Sequence, residues 1–152
     1  MLEFAHQEHV KSYYLDSRNQ TFELPPLTQQ EEADVCVIGA GFFGLSAALE
    51  LAEKGKKVIV LEGARVGFGA SGRSGGQAIN GFEEGIDEYI AQVGFDKAKQ
   101  LWDMSLEAID IIDERITKYG IQCDWKKGYA TLALNERRMD DLIEMEDRKS
   151  VV

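Results

Sequence analysis

Residues 33–62 read A-D-V-C-V-I-G-A-G-F-F-G-L-S-A-A-L-E-L-A-E-K-G-K-K-V-I-V-L-E, and this stretch leaves few folds open. Asp34 to Ile38 is a short apolar run of the kind found in strands covered on both faces. That placement makes Cys36 a buried free thiol. Gly39 to Gly44 is a turn. Leu45, Ala48, Leu49 and Ala52 recur at helical spacing, which predicts a helix over 42–54 with Gly55 as its stop. Lys57 to Leu61 is a second continuous apolar strand. A strand–helix–strand unit of this length is expected to be a right-handed parallel crossover. The predicted class is α/β, a Rossmann-like dinucleotide-binding fold of the FAD/NAD(P) type.

The turn, Gly39-Ala40-Gly41-Phe42-Phe43-Gly44, is a G-x-G-x-x-G in the context that gives the pattern meaning: a strand before it, a helix after it and an acid ending the next strand. Gly39 permits the tight turn, Gly41 lets backbone approach a pyrophosphate, and Gly44 allows close helix–strand packing. The helix that follows aims its free N–H groups and positive dipole end at phosphate. Glu62, 18 residues beyond Gly44, can accept hydrogen bonds from a ribose diol and repels a 2′-phosphate, which disfavours an NADP-type ligand.

A second Gly-rich run follows at once, Arg65-Val66-Gly67-Phe68-Gly69-Ala70-Ser71-Gly72-Arg73-Ser74-Gly75-Gly76-Gln77. The whole span 63–81 carries too many glycines for regular structure. Glycine removes side chains where backbone must approach something flat or charged, and Ser71 and Arg73 can meet phosphate or flavin oxygens. A plain NAD dehydrogenase normally continues from its acid into an ordinary helix or loop. The second run therefore favours FAD.

Together the two runs resemble the D-amino-acid oxidase (DAO) superfamily of FAD-dependent amine oxidases. Within it, V-G-F-G-A-S-G-R-S-G-G-Q is similar to the gamma-glutamylputrescine oxidoreductases, with Ser74 where that family usually has Asn. Ser12-Tyr13-Tyr14 and E-R-I-T-K-Y-G-I with the following C-D-W extend the likeness. The resemblance implies FAD as cofactor, a small-molecule amine as substrate and dioxygen as acceptor. The implied reaction is oxidative deamination by hydride transfer to the flavin. It also implies cofactor contacts at Gly39, Gly41, Phe43 and Gly44 around the pyrophosphate, Glu62 at the ribose and Arg65 near the adenosine. Ala70, Ser71, Arg73, Gly75, Gly76 and Gln77 would lie toward the flavin. Catalytic residues are unknown. Alternatives are another flavin oxidase of the superfamily acting on an amino acid or secondary amine, an NAD-dependent dehydrogenase, and a non-catalytic dinucleotide-binding module.

Around this core, residues 1–32 read as an extended arm, with His6 and His9 as solvated tail histidines and no metal site. A short helix is expected over 84–93. A long amphipathic one is expected over 95–119, with Ala98, Leu101, Trp102, Ser105, Ile109, Ile112 and Ile116 on one face and Gly120 as its stop. Residues 121–125 and 129–134 suggest a β-hairpin across Lys126-Lys127-Gly128, with Trp125 and Tyr129 expected in its core, an approach to the substrate side being the alternative. Asn135 is a candidate N-cap for a last helix, 136–147. The domain plan is thus an arm (1–32) and the N-terminal part of an FAD domain (33–146). That part divides into a dinucleotide core (33–81) and an inserted helix and hairpin (84–146). Residues 147–152, D-R-K-S-V-V, match a sequencing-adapter reading frame and are expected to be a non-native tail. Members of the family are longer, so the C-terminal part of the fold is expected to be missing and the chain alone to lack oxidase turnover.

The net charge of −10 argues against nucleic acid or an anionic membrane as partner. Cys36 and Cys123 match no zinc or redox spacing. No secretory pattern opens the chain and no apolar run is long enough to span a bilayer, so a cytoplasmic protein is expected.

Overall fold

The computed structural model describes residues 8–148 except Phe22, and for Asp147 and Arg148 the backbone alone. They fall into two compact units, the first up to Gln77 and the second from Ala78. The expected non-native tail begins at 147, and its last four residues, 149–152, lie outside the described part, as does His6.

In the first unit, β1 (Val35–Ile38) and β2 (Val58–Leu61) pair in parallel, with Val35 opposite Val58 and Ile38 opposite Leu61. Asp34 extends the ladder, because its N–H donates to Lys57 O (2.9 Å) and its Oδ2 accepts from Lys57 N–H (2.8 Å). Helix α2 (Phe42–Glu53) connects the strands and packs on both. Its C-terminus closes in a Schellman motif. Lys56 N–H donates to Leu51 O (3.1 Å), Gly55 N–H donates to Ala52 O (2.9 Å), and Gly55 takes a φ of +77°.

The strand expected to be covered on both faces is covered on one. Along β1 the half-buried residues Val35 and Val37 alternate with exposed Cys36 and Ile38, and Ile38 is 87% exposed. Successive side chains of a strand point to opposite faces, and α2 covers one of them. Cys36 is accordingly an exposed thiol, not a buried one.

The arm expected to be extended contains a short helix, α1 (Tyr13–Asp16). Ser12 caps it by accepting from Leu15 N–H (3.3 Å). Ser, a preferred cap residue, ahead of two tyrosines is enough to start one turn. Helix α1 lies against a 3-10 turn at Ala70–Arg73, the one piece of regular structure in the second Gly-rich run. His9 is not a solvated tail residue: it is half-buried, its ring centroid 5.7 Å from that of Phe68.

In the second unit, α3 (Ile86–Val93) packs on α4 (Phe95–Tyr119), whose Ala98 is fully buried. Gly81 N–H donates to Ser105 Oγ (2.9 Å). Gly120, in the left-handed region at φ +59°, ends α4, and Ile121 N–H donates to Ile116 O (3.0 Å). Helix α5 (Glu136–Arg148) starts as its cap predicts, with Arg138 N–H donating to Asn135 Oδ1 (3.1 Å).

The hairpin over 121–134 does not form among the described residues, where the sheet has two strands, β1 and β2. An isolated two-stranded ribbon is marginal without an apolar surface or a third strand beneath it, and Leu132 and Leu134 stand 79% and 91% exposed. Side-chain ties to α4 hold the first part of the segment instead. Trp125 Nε1–H donates to Asp113 Oδ1 (2.8 Å) and Lys127 Nζ donates to Asp113 Oδ2 (2.7 Å). Asp124 adopts a positive φ of 53°, which breaks the extended course of a strand. Trp125 is thus half-buried against α4, and Tyr129 is exposed.

Candidate dinucleotide site

The turn between β1 and α2 is built as its glycines require. Gly39 sits at φ +100°, a conformation rare for any side-chain-bearing residue, and its N–H donates to Leu61 O (2.7 Å). A Cβ on Gly44 would overlap the Gly39 carbonyl oxygen and stand 3.3 Å from Val37 Cγ1, so α2 crosses β1 at a distance only glycine allows. Phe43, the third residue expected here, is 90% exposed on the first turn of α2.

Glu62 ends β2 with its carboxylate turned onto backbone. Oε2 accepts from Ala40 N–H (2.8 Å) and Oε1 accepts from Ala64 N–H (3.0 Å). One side chain thereby ties the first Gly-rich turn to the start of the second run. Each oxygen keeps a lone pair for a further donor such as a ribose hydroxyl.

The second run folds back over the first. Gly67 N–H donates to Ala40 O (3.0 Å), and Ser71 Oγ accepts from Phe42 N–H (2.9 Å). A Cβ on Gly72 would overlap the Gly67 carbonyl oxygen, so the loop closes on itself at a glycine pair. Further on, Ser74 Oγ accepts from Gly76 N–H (3.2 Å) and supports Gly76 at φ +71°. The Ser74 hydroxyl therefore shapes the loop locally.

These ties leave a cleft of about 350 Å³ lined by Gly41, Glu62, Gly63, Ala64 and the run Gly67 to Ser71, within the size range of small-molecule sites. Of the residues singled out in the sequence, Gly41, Glu62, Ala70 and Ser71 meet in this cleft. Arg65 and Arg73 instead line a neighbouring cavity of about 880 Å³, shared with arm residues including His9, Tyr14 and Arg18. Gly75, Gly76 and Gln77 line neither, although the Tyr14 hydroxyl lies 3.8 Å from where a Gly75 Cβ would stand. Sequence reasoning missed Ala40, which is buried and tied through both its N–H and its carbonyl, and the pair Gly67 and Gly72. Two glycines five apart within one loop were the available signal for that pair.

The arrangement fits a dinucleotide. A helix N-terminus opens on the cleft, its first-turn N–H groups have no intrahelical acceptor, Gly41 adds no side chain of its own beside the Ser71 hydroxyl, and an acid follows the last residue of β2. Among the described residues no cluster of His, Cys, Asp or Glu is arranged to hold a metal ion.

Comparison with known proteins decides the family. The family model described as FAD dependent oxidoreductase (DAO) matches residues 34–151. The chain belongs to the DAO family of FAD-dependent oxidoreductases. FAD is therefore its cofactor, and the two Gly-rich runs belong to a Rossmann-like FAD-binding fold. The chain is 88% identical over 146 residues to a probable oxidoreductase OrdL of Haemophilus influenzae, covering 96% of this chain and 34% of that one. It is 44% identical over 140 residues to gamma-glutamylputrescine oxidoreductase of Escherichia coli, covering 92% and 33%. A thiamine thiazole synthase of Methanococcus maripaludis is 31% identical over 124 residues, covering 77% and 44%. The chain thus spans about a third of the length of the first two DAO-family relatives. No solved structure matches it.

Proposed function

We propose that this chain supplies the FAD grip of an oxidase that deaminates gamma-glutamylputrescine or a related polyamine derivative. The observation that supports the grip is the locked pair of Gly-rich runs, joined through Glu62, Gly67 and Ser71 around one cleft at the N-terminus of α2. The substrate class rests on the 44% identity to a relative named for that substrate. When bound, FAD would supply the redox chemistry, a two-electron oxidation of the amine carbon with dioxygen as final acceptor. The balance is amine, dioxygen and water in, and aldehyde, ammonia and hydrogen peroxide out. The chain's own residues bind and orient. Gly41 adds no side chain of its own, the first turn of α2 beyond the capped Phe42 N–H would offer N–H groups and a positive dipole end to the pyrophosphate, and Glu62 would accept from the ribose. Arg65 would lie near the adenosine, and Arg73, Gly75, Gly76 and Gln77 on the loop that continues toward the flavin. Among the described residues no helix is long and apolar enough to cross a membrane. A cytoplasmic location is part of the same proposal and does not rest on that absence.

The test is a panel of amines offered to the protein carrying this chain at the length of its relatives, with peroxide and ammonia as readouts. Equal release of both with gamma-glutamylputrescine, and little with amino acids, is the expected result. Turnover of an amino acid or sarcosine-like amine instead would move the protein to another branch of the family. Peroxide from none of them would overturn the amine-oxidase reading.

A further inference from the structure

Helix α2 has no cap of its own. Its N-cap residue is Gly41, which has no side chain to offer. The acceptor comes from 29 residues further along the chain, where Ser71 Oγ accepts from Phe42 N–H at 2.9 Å. A Cβ built on Gly41 would stand 2.8 Å from Ser71 Oγ and 3.7 Å from Ser71 Cβ. The first contact is too short for real atoms; the second is ordinary. The space at Gly41 is therefore taken by the Ser71 hydroxyl.

We infer that Ser71 is a positioning residue that caps α2 from the second Gly-rich run, and that Gly41 is a glycine in part to admit that hydroxyl. The two runs are then one preassembled unit. Three ties hold it: Glu62 to Ala40 N–H, Gly67 N–H to Ala40 O, and Ser71 to Phe42 N–H. A cap hydroxyl on a helix N-terminus satisfies an N–H that water or an anion would otherwise take. It also fixes the second run over the end of the helix, so the cofactor meets a formed cleft and does not have to order two loops at once. This deepens the proposed FAD grip and rests on that reading only for the identity of the ligand.

The test uses the whole 152-residue chain, first without FAD. Hydrogen exchange at the Phe42 amide should speed up roughly fivefold in Ser71→Ala, the loss expected for one helix cap, with little change at amides of α4. Ser71→Thr, which keeps the hydroxyl, should restore protection. A double-mutant cycle supplies the second readout. Gly41→Ala should be destabilising in the native background and markedly less so with Ser71→Ala, because only the hydroxyl blocks the new Cβ. Unchanged Phe42 exchange in Ser71→Ala, or equal Gly41→Ala penalties in both backgrounds, would overturn the inference. These measurements need no ligand. A parallel FAD titration tells the two failures apart: binding with no coupling sinks the latch alone, and coupling with no binding sinks the FAD grip alone.

Discussion

Replacing Gly44 by Ala tests the helix–strand contact on which the cleft is built. The new Cβ would overlap the Gly39 carbonyl oxygen, lie 3.2 Å from the Gly39 carbonyl carbon and lie 3.3 Å from Val37 Cγ1. Val37 can give by a small rotation, but Gly39 cannot give easily. Its backbone is set at φ +100°, and its N–H is bound to Leu61 O at 2.7 Å. Moving it would break the link between β1 and β2, so α2 must lift away. Overpacking of this kind costs about 1–3 kcal/mol. A clash with a fixed carbonyl oxygen belongs at the upper end of that range, and alanine recovers up to about 1 kcal/mol over glycine inside a helix, which leaves a net loss of roughly 2 kcal/mol. Urea denaturation followed by circular dichroism measures it, with Gly63→Ala as the control. No atom lies within 4 Å of a Cβ at Gly63, so the control should stay within about 0.5 kcal/mol. If Gly44→Ala proved as stable as the control or more so, the close crossing of α2 over β1 would be refuted.

Three further outcomes are expected. Glu62→Gln puts an amide N–H₂ against the Ala40 or the Ala64 N–H, so one tie is lost. FAD affinity, read by flavin fluorescence, should fall roughly tenfold, and an unchanged affinity would contradict the staple role of Glu62. The Asp113 carboxyl is held below the usual aspartate range, first by the Lys127 hydrogen bond and then by that from Trp125, while Lys127 is held above the usual lysine range by Asp113. The carboxylate's contribution is therefore present above the unfolded aspartate value and fades as pH falls through the lower folded one. The lysine's is present below its unfolded value and fades as pH rises through the higher folded one. Trp125 fluorescence in a Trp102→Phe background should hold steady at neutral pH and change only below about pH 4; a transition at pH 5–6 would contradict the clamp. Asn135→Ala removes the cap on α5 and should cost about 1 kcal/mol, visible as lost helicity, whereas unchanged helicity would show that the cap contributes nothing.

The strand–turn–helix–strand core was readable to within a residue or two because its signals are local and mutually consistent. Apolar runs, glycines with fixed mechanical duties and Gly55 as a stop all sit within 30 residues. The same holds for α4, where a long apolar stripe ends at Gly120. The misreadings share a different cause. Residues 121–134 have strand composition, but a strand exists only by pairing, and the local pattern does not contain the partner that a lone ribbon needs. Cys36 was placed inside because an unbroken apolar run looks alike whether one face or two are covered. The tie from Ser71 to Phe42, 29 residues earlier, is not a misreading but an omission, because nothing in Ser71's own neighbourhood points to it. Contacts that depend on where two distant loops meet are written in the fold and not in the spacing of either loop.

The central claim is that the two Gly-rich runs make one site for FAD. Calorimetric titration of the chain with FAD, with NADPH as competitor, tests it most directly. The account predicts saturable one-to-one binding of FAD that NADPH does not displace, because a carboxylate at Glu62 would repel a 2′-phosphate. Binding of a nicotinamide dinucleotide in preference to FAD, or no binding of FAD, would contradict it.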